Sequence, residues 1–129
     1  MTAQKFHELL QQKTHVFITT INSDGSPQTT MTWVDTDGDH ALINVPARVL
    51  KARNVARDPR VSLAAADPDN PRHYFAARGT VVATNRDPDM SHFDQLTRKY
   101  LGIPFAELGG PVHERLVLTI RIDAIHEAQ

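Results

Sequence analysis

The chain has 129 residues, a formal net charge of −1 and no cysteine. This length predicts a single domain spanning residues 1–129, and the near-neutral charge excludes a general electrostatic attraction to nucleic acid or to an anionic membrane. The absence of cysteine excludes disulfides, thiolate metal ligands and a cysteine nucleophile.

The N-terminal segment MTAQKFHELLQQK alternates polar and apolar side chains and lacks the continuous apolar core of a signal peptide. No apolar run of the sequence approaches the ~20 residues of a membrane-spanning helix. Both features favour a soluble, cytoplasmic protein. Within the segment, Phe6, Leu9 and Leu10 share one face at helical spacing, which predicts a short amphipathic helix over residues 3–13.

The residues after this helix have the pattern of strands joined by tight turns. Asp-Gly pairs within the segments 22–26 and 37–39 are typical of such turns. They separate three predicted antiparallel strands, which cover residues 16–21 (VFITTI), 27–36 (PQTTMTWVDT) and 40–45 (HALINV).

A helix is predicted over residues 47–57, directly after the third strand. Pro46 is compatible with a helix start, and Asp58 ends the helix because the residue before a proline avoids the α region. At 100° per residue the apolar side chains of this segment, including Val49 and Val55, form one stripe, which we expect to pack on the strands.

The second half of the chain predicts more strands and one further helix. The helix covers residues 88–101, with Asp87 as its cap and Gly102 at its end. Six strands in meander order lack the helix between successive strands that a doubly wound α/β sheet requires, so an antiparallel barrel is the predicted fold. The three later strands are residues 60–66 (RVSLAAA), 73–85 (HYFAARGTVVATN, with a bulge at Gly79) and 114–125 (ERLVLTIRIDAI).

Two sets of polar side chains flank the apolar stripe of the helix 47–57. Arg48 and Lys51 lie on one border, with Asn54 a further step round the helix, whereas Arg53 and Arg57 lie on the other side. The first set belongs to the first turns, where free N–H groups and the helix dipole favour an anion such as a phosphate. The alternative for both sets is a solvated basic face or pairing with surface acids.

The string ARVLKARNVARDPRVSLAAAD (47–67), which follows a strand ending INV, resembles the signature of the split-barrel family related to pyridoxamine 5′-phosphate oxidase. Within that family it resembles the branch that uses the deazaflavin coenzyme F420 instead of FMN. Three further strings agree, and the resemblance spans about residues 5–125. They are SDGSPQTTMTWVDTDGD (23–39), RHYFAARGTVV (72–82) and FDQLTRKYLGIPF (93–105).

The resemblance implies a mainly β fold: a six-stranded antiparallel split β-barrel (an FMN-binding split barrel) with flanking short helices. It also implies a homodimer with a coenzyme groove at its interface, and a phosphate held by the helix after the third strand. Lys51 and Asn54 match the family's basic and amide positions, and Arg53 matches its neighbouring arginine. Arg48 is offset, because many relatives carry an arginine where this chain has Val49.

The same resemblance places the second strand under the ring system of the coenzyme, which makes Thr30, Thr32 and Trp33 candidates for ring contacts. Trp33 could equally be a core residue, the commoner role of a lone tryptophan. For Tyr74 and Tyr100 we expect packing rather than binding. The residues that lead into the helix and could offer backbone groups to the ring edge are Asn44, Val45 and Pro46.

A deazaflavin transfers hydride, so the implied reaction is reduction of an electron-poor double bond or similar acceptor in a small organic substrate, with the coenzyme supplying the chemistry. The glutamates of the F420 tail could meet Arg53 and Arg57. Two alternatives remain open: an FMN-dependent enzyme on the same fold, and a protein that stores or delivers the coenzyme without turnover.

Other functional patterns are not supported. The seven histidines include no pair at helical spacing, and DTDGD (35–39) departs from an EF-hand loop because His40 stands where glycine is required, so no metal site is predicted. The sequence contains no GxSxG, P-loop or GxGxxG motif.

Overall fold

The computed structural model describes residues 2–129 and consists of one antiparallel sheet with short helices on its outside. No helix among these residues has the length and apolar character needed to cross a bilayer. The elements are α1 Thr2–Gln11, β1 Val16–Ile21, β2 Pro27–Thr32, β3 Asp35–Thr36, β4 His40–Pro46, α2 Leu50–Arg57, β5 Arg60–Asp67, β6 Asn70–Arg86, α3 Ser91–Leu101, a 3₁₀ turn Phe105–Glu107 and β7 Arg115–Ala128.

The strand order is β2-β1-β5-β6-β7-β4-β3, and every neighbouring pair is antiparallel. β2 and β3 are the two edges of this order, yet only Trp33 and Val34 separate them in the chain. The sheet therefore curls until its edges come close to each other at these two residues, a place that we call the seam.

The predicted mainly β, antiparallel fold is confirmed, but the sheet has seven strands instead of six and is not closed. The predicted strand 27–36 divides at the seam because Val34 bonds to α3 instead of a neighbouring strand. Its N–H donates to the Tyr100 hydroxyl at 3.0 Å, and its carbonyl accepts from Lys99 Nζ at 2.7 Å. Side chains thus satisfy the backbone groups that a ladder would otherwise pair.

The core fills the inside of the curled sheet. Alternate residues of each strand point inward, and α1 covers one opening with Phe6, whose ring lies 5.5 Å from that of Phe75. Burial of a large apolar side chain stabilises the fold by about 1.5–3 kcal/mol. The largest fully buried side chains are Phe6, Phe75, Leu10, Ile18, Ile43, Leu63, Leu96, Leu118 and Ile120.

Helix α2 begins three residues later than predicted. Pro46 is the last residue of β4, and the Ala47 N–H donates to the Glu114 carbonyl at 2.9 Å, so the chain continues alongside β7 before it turns. Val49, which has an extended backbone and no side-chain cap, precedes the first helical residue. Arg48 consequently lies outside the helix.

Helix α3 also begins three residues later than predicted, but Asp87 caps it. The two carboxylate oxygens of Asp87 accept from the N–H groups of His92 and Phe93 at 3.1 and 2.9 Å. Gly102 ends the helix with a φ of 73°, a conformation that favours glycine.

The two longest strands, β6 and β7, extend beyond their predicted bounds, and a short turn of two residues joins β5 to β6. A register shift of the β6–β7 ladder falls at Gly79, but the predicted bulge of β6 at this residue is wrong. Arg78 pairs with Ala124 and Gly79 with Ile122, so the extra residue is Asp123 of β7, and the extra residue of β6 is Val82. A Cβ at position 79 would lie 2.7 Å from the Arg121 carbonyl oxygen, so the close approach of the two strands requires glycine.

Candidate functional site

A cavity of about 330 Å³ opens beside the seam, where the end of β2 faces β4, the start of β7 and α3; we call it the seam cavity. Each of these elements contributes side chains to its wall. Polar and aromatic groups that are far apart in the sequence thereby meet in one place. The principal lining residues are Thr32, Trp33, Asn44, Phe93, Leu96 and Arg115.

Stacked aromatic rings form one wall of the seam cavity. The Trp33 and Tyr100 rings are nearly parallel, with centroids 5.0 Å apart, and Phe93 stacks on Trp33 at 6.2 Å. Tyr100 is buried and its hydroxyl donates to the Thr14 carbonyl, so it packs as predicted. Trp33 is partly buried, with Tyr100 behind it and the cavity beside it. Such a flat, rigid surface suits a planar ligand.

Lys51 reaches from α2 to β2, where its Nζ donates to the Thr30 hydroxyl at 3.1 Å. Burial lowers the pKa of Lys51, and the charge of Arg115 lowers it further. No carboxylate among residues 2–129 raises it. A half-buried ammonium without a counter-charge is costly unless an anion joins it, so this position can hold a phosphate.

Arg115, at the start of β7, is a second half-buried cation and lines the seam cavity. Its Nε donates to Asn44 Oδ1 at 2.5 Å, and its guanidinium lies 3.9 Å from the centroid of the Phe93 ring. Burial lowers the pKa of Arg115, and the charge of Asp87 opposes this effect. No motif of the sequence marks Arg115, because the positions that it meets are distant along the chain.

A hydrogen-bonded network holds the Asn44 side chain behind Arg115. Asn44 Nδ2 donates to Asp87 Oδ2 at 3.0 Å and to His92 Nδ1 at 3.0 Å, which leaves Oδ1 to face the guanidinium. His92 Nδ1 is therefore an acceptor, and the ring proton lies on Nε2, 3.3 Å from Asp35 Oδ2. His92 Nε2 has no hydrogen-bond partner among residues 2–129, yet its approach to Asp35 lowers the pKa of that carboxyl group. Asn44 was predicted to offer its backbone, but its side chain is the organising group.

The structure corrects the position of Asn54. Its side chain is fully buried, and Nδ2 donates to Thr20 Oγ1 at 3.0 Å and to Asn22 Oδ1 at 2.9 Å. Its amide oxygen accepts from Arg57 at 3.2 Å. Asn54 thus fastens α2 to the strands and does not face the surface on which a coenzyme would lie.

The three arginines of residues 47–57 do not gather at the start of α2. Arg48 and Arg53 are exposed, and Arg53 Nη1 donates to the Arg48 carbonyl at 3.1 Å. Arg57, also exposed, donates to the Ile21 carbonyl. The predicted phosphate grip of Arg48 with Lys51 therefore reduces to Lys51, which pairs with Thr30 of β2.

The remaining predicted positions lie near the seam or inside the core. Thr32 lines the seam cavity, and Pro46 pairs with Arg115 across the β4–β7 ladder. Val45 is buried in the core, whereas Tyr74 is exposed at the far end of β6. Thr30 thus contacts Lys51, and Thr32 and Trp33 line the same cavity as Arg115.

A larger depression of about 810 Å³ lies between α1 and β7, but its chemistry is different. The charged side chains that line it include Glu8, Asp39 and Asp123, and no lysine or arginine is among them. Negative charge repels phosphate, so this depression does not compete as an anion site.

A model of the pyridoxamine 5′-phosphate oxidase family matches residues 2–129. Among solved structures, an F420 reductase has a TM-score of 0.85 and 28% identity, covering 93% of this chain and 94% of that one. A conserved hypothetical protein from Mycobacterium tuberculosis has a TM-score of 0.78, 22% identity and coverages of 99% and 84%. A pyridoxamine 5′-phosphate oxidase-related, FMN binding protein from Nostoc punctiforme has a TM-score of 0.64, 15% identity and coverages of 97% and 78%. No curated protein sequence matches significantly.

The two more distant structures show the shared fold, and the family model covers all of the residues that the structure describes. The similarity to the F420 reductase is consistent with the deazaflavin branch. The family resemblance seen in residues 47–67 is thereby confirmed: the chain belongs to the pyridoxamine 5′-phosphate oxidase family.

Proposed function

We propose that this protein is an F420-dependent oxidoreductase that transfers a hydride between the reduced deazaflavin and a small, electron-poor organic substrate. The observation that carries the proposal is the half-buried, uncompensated charge of Lys51 against Thr30, beside a cavity with an aromatic wall. The 28% identity to an F420 reductase over nearly the whole chain supports this coenzyme over others.

The residues present fit a phosphate-bearing coenzyme. Lys51 supplies a charge that burial makes effective, and the Thr30 hydroxyl beside it supplies a short polar partner. When bound, a deazaflavin supplies hydride transfer without one-electron or oxygen chemistry. The contribution of this chain is to hold the phosphate, to present the Trp33 face to a planar ring and to keep water from that side.

Two exposed arginines of α2, which we call the basic rim, suit the glutamate tail of F420. Arg53 is exposed on α2 about half a turn from Lys51, towards the other side of the helix, and Arg57 follows Arg53 one turn later. Glutamate carboxylates of the coenzyme tail would meet these two guanidinium groups in solvent. We expect each contact to contribute about 0.2–1 kcal/mol, as exposed ion pairs do.

FMN is the alternative ligand, because it also carries a phosphate and a protein of this fold from Nostoc punctiforme binds it. Lys51 and Thr30 do not distinguish the two coenzymes. Arg53 and Arg57 favour F420, because they can meet its glutamate tail and FMN has no such tail.

The proposal is tested by equilibrium dialysis of F420 and of FMN against the purified protein, followed by anaerobic reduction assays over a panel of electron-poor alkenes. We expect F420 to bind more tightly than FMN, and Lys51→Gln to weaken F420 binding about tenfold or more because a charged hydrogen bond is lost. Lys13→Gln, which removes an exposed lysine, is the matched control.

The outcomes separate the alternatives. If FMN binds more tightly than F420, FMN becomes the proposed coenzyme. If F420 binds but no alkene is reduced, the protein is better described as a coenzyme carrier. Equal affinities of the Lys51→Gln and Lys13→Gln variants for F420 would show that Lys51 does not bind the phosphate.

We also propose that the protein is a homodimer. An apolar row crosses the outer face of the sheet, where Phe17 pairs with Met31 on one side and with Ala64 on the other. Phe17 and Met31 are 51% and 57% exposed. Adjacent large apolar side chains on an outer sheet face are typical of an interface.

A further inference from the structure

The guanidinium of Arg115 has more hydrogen-bond donors than the protein uses. Nε donates to Asn44 Oδ1, and one Nη2 proton makes a long 3.5 Å contact with the Asn44 carbonyl. Nη1 donates to no group among residues 2–129. A guanidinium carries five N–H donors in a planar fork, so its outer edge is free.

The nearest buried carboxylate does not compensate this charge directly. Both oxygens of Asp87 are engaged by the backbone of α3 and by the Asn44 amide, which separates Asp87 from Arg115. Lys51 adds a second positive charge nearby. The polar wall of the seam cavity therefore carries the charge of Arg115 in a partly desolvated place, where the attraction of an anion is strongest, and Lys51 reinforces it from outside the lining.

We infer that the free edge of Arg115 binds an oxyanion inside the seam cavity, and that this oxyanion is a carboxylate of the substrate. The inference rests on the proposed function, since it supplies the substrate class: an electron-poor acceptor conjugated to, or carrying, a carboxylate. Asn44 is the positioning residue, because it fixes the fork while Phe93 covers one side of it. A phosphate of the coenzyme has the same chemistry and is the other source that the experiment separates.

The test uses Trp33, the one tryptophan of the chain, which lines the seam cavity and so reports on it by fluorescence. Benzoate is titrated against the protein with and without F420, and benzamide, which has the same shape but no charge, is titrated in parallel. We expect benzoate to bind at least tenfold more tightly than benzamide. Arg115→Gln should reduce this preference to about twofold or less, whereas Arg121→Gln, on the same strand and paired with Asp123 at 2.7 Å, should leave it unchanged.

Each result decides one point. Equal binding of benzoate and benzamide to the unmodified protein overturns the inference, as does a preference that survives Arg115→Gln. If Arg115→Gln instead weakens F420 tenfold in dialysis and leaves benzoate binding intact, the oxyanion belongs to the coenzyme. A benzoate preference in a protein that binds neither F420 nor FMN supports the inference and contradicts the proposed function alone.

A second measurement needs no variant and so does not depend on how Arg115→Gln folds. The Arg115 Nε–H resonance is followed by nitrogen-15 NMR of the unmodified protein during the same titrations. Saturable shifts with benzoate and none with benzamide support the inference, and an Nε–H signal unmoved by benzoate overturns it.

Discussion

The charge of Lys51 should make coenzyme binding depend on pH. Burial and Arg115 lower the pKa of Lys51, whereas a bound phosphate stabilises its charged form. The ammonium is present below this pKa and is lost as the pH rises through it. We therefore expect F420 affinity to be constant near neutral pH and to fall on the alkaline side, at a lower pH than an ordinary lysine would give.

The measurement is equilibrium dialysis of F420 over a pH series from neutral to alkaline. Lys51→Gln should remove the alkaline decrease together with most of the affinity, whereas Lys13→Gln should keep both. A decrease of the same size in the Lys51→Gln variant would show that another group titrates.

Asn54 is predicted to act on stability more than on binding. Asn54→Ala removes three hydrogen bonds of a fully buried amide and leaves Thr20 without that donor, which should lower the free energy of unfolding by about 1–3 kcal/mol. Urea denaturation gives this value. Asn85→Ala, at an exposed position of β6, should change it by less than about 0.5 kcal/mol. A stable Asn54→Ala variant that has lost F420 binding would instead restore the ligand role implied by the family motif.

Only some of these side chains could be predicted from the sequence to belong to the site. Lys51 could be selected because helix periodicity and the family string both mark it, and Trp33 because it lies in the strand implied to contact the ring. The different environments of Lys51, which is half-buried against Thr30, and of Asn54, which is fully buried, were not predictable, because they depend on the strand beneath each residue. Arg115 was not found since its partners, Asn44 and Phe93, are distant in sequence.

At the scale of whole elements, the ends of β6 and β7 are joined by a titrating pair. His73 Nε2 and Glu127 Oε2 are 2.7 Å apart. This hydrogen bond raises the pKa of His73 above its ordinary value of 6.5, with help from Asp67, and lowers the pKa of Glu127 below its ordinary value of 4.5. Both shifts stabilise the folded chain while both groups are charged.

The signs of the two shifts define a pH window for this stabilisation. The His73 part is complete below pH 6.5 and is lost as the pH rises through the raised pKa; the Glu127 part is complete above pH 4.5 and is lost as the pH falls through the lowered pKa. We expect His73→Gln to lower the melting temperature most between these values, with a smaller difference at alkaline pH. Thermal unfolding over a pH series measures it, with His113→Gln at an exposed position as the control. A difference independent of pH would exclude the pair as its cause.

The elements themselves were predictable where their signals are local. The alternation in β1 and the cap of α3 by Asp87 both follow from residues within the element or a few positions before it. The start of α2 was not predictable, because the Ala47 N–H bonds to Glu114 of a distant segment. The division of the second strand was missed for the same reason, since Val34 bonds to side chains of α3.

At the scale of the whole molecule, curling of the sheet leaves one outer face with the apolar row around Phe17. Inward-facing neighbours such as Val16 and Ile18 fill the core, so alternation forces Phe17 outward. Met31 and Ala64 are its direct partners on the adjacent strands, and Ala76 follows Ala64. The small alanines keep the face beside Phe17 low enough for a second sheet to approach.

This geometry predicts that Phe17→Glu converts the proposed dimer to a monomer. Phe17 is 51% exposed, so the substitution should not disturb the core, whereas a charge buried at an interface without a partner is strongly unfavourable. Sedimentation equilibrium should show the dissociation constant raised about a hundredfold or more. Val112→Glu, at a 67% exposed loop position outside the row, should leave the assembly unchanged. If the unmodified protein sediments as a monomer, the row does not join two copies, and the coenzyme site must be complete within one chain; if the Phe17→Glu variant sediments as a dimer, another surface joins the two copies.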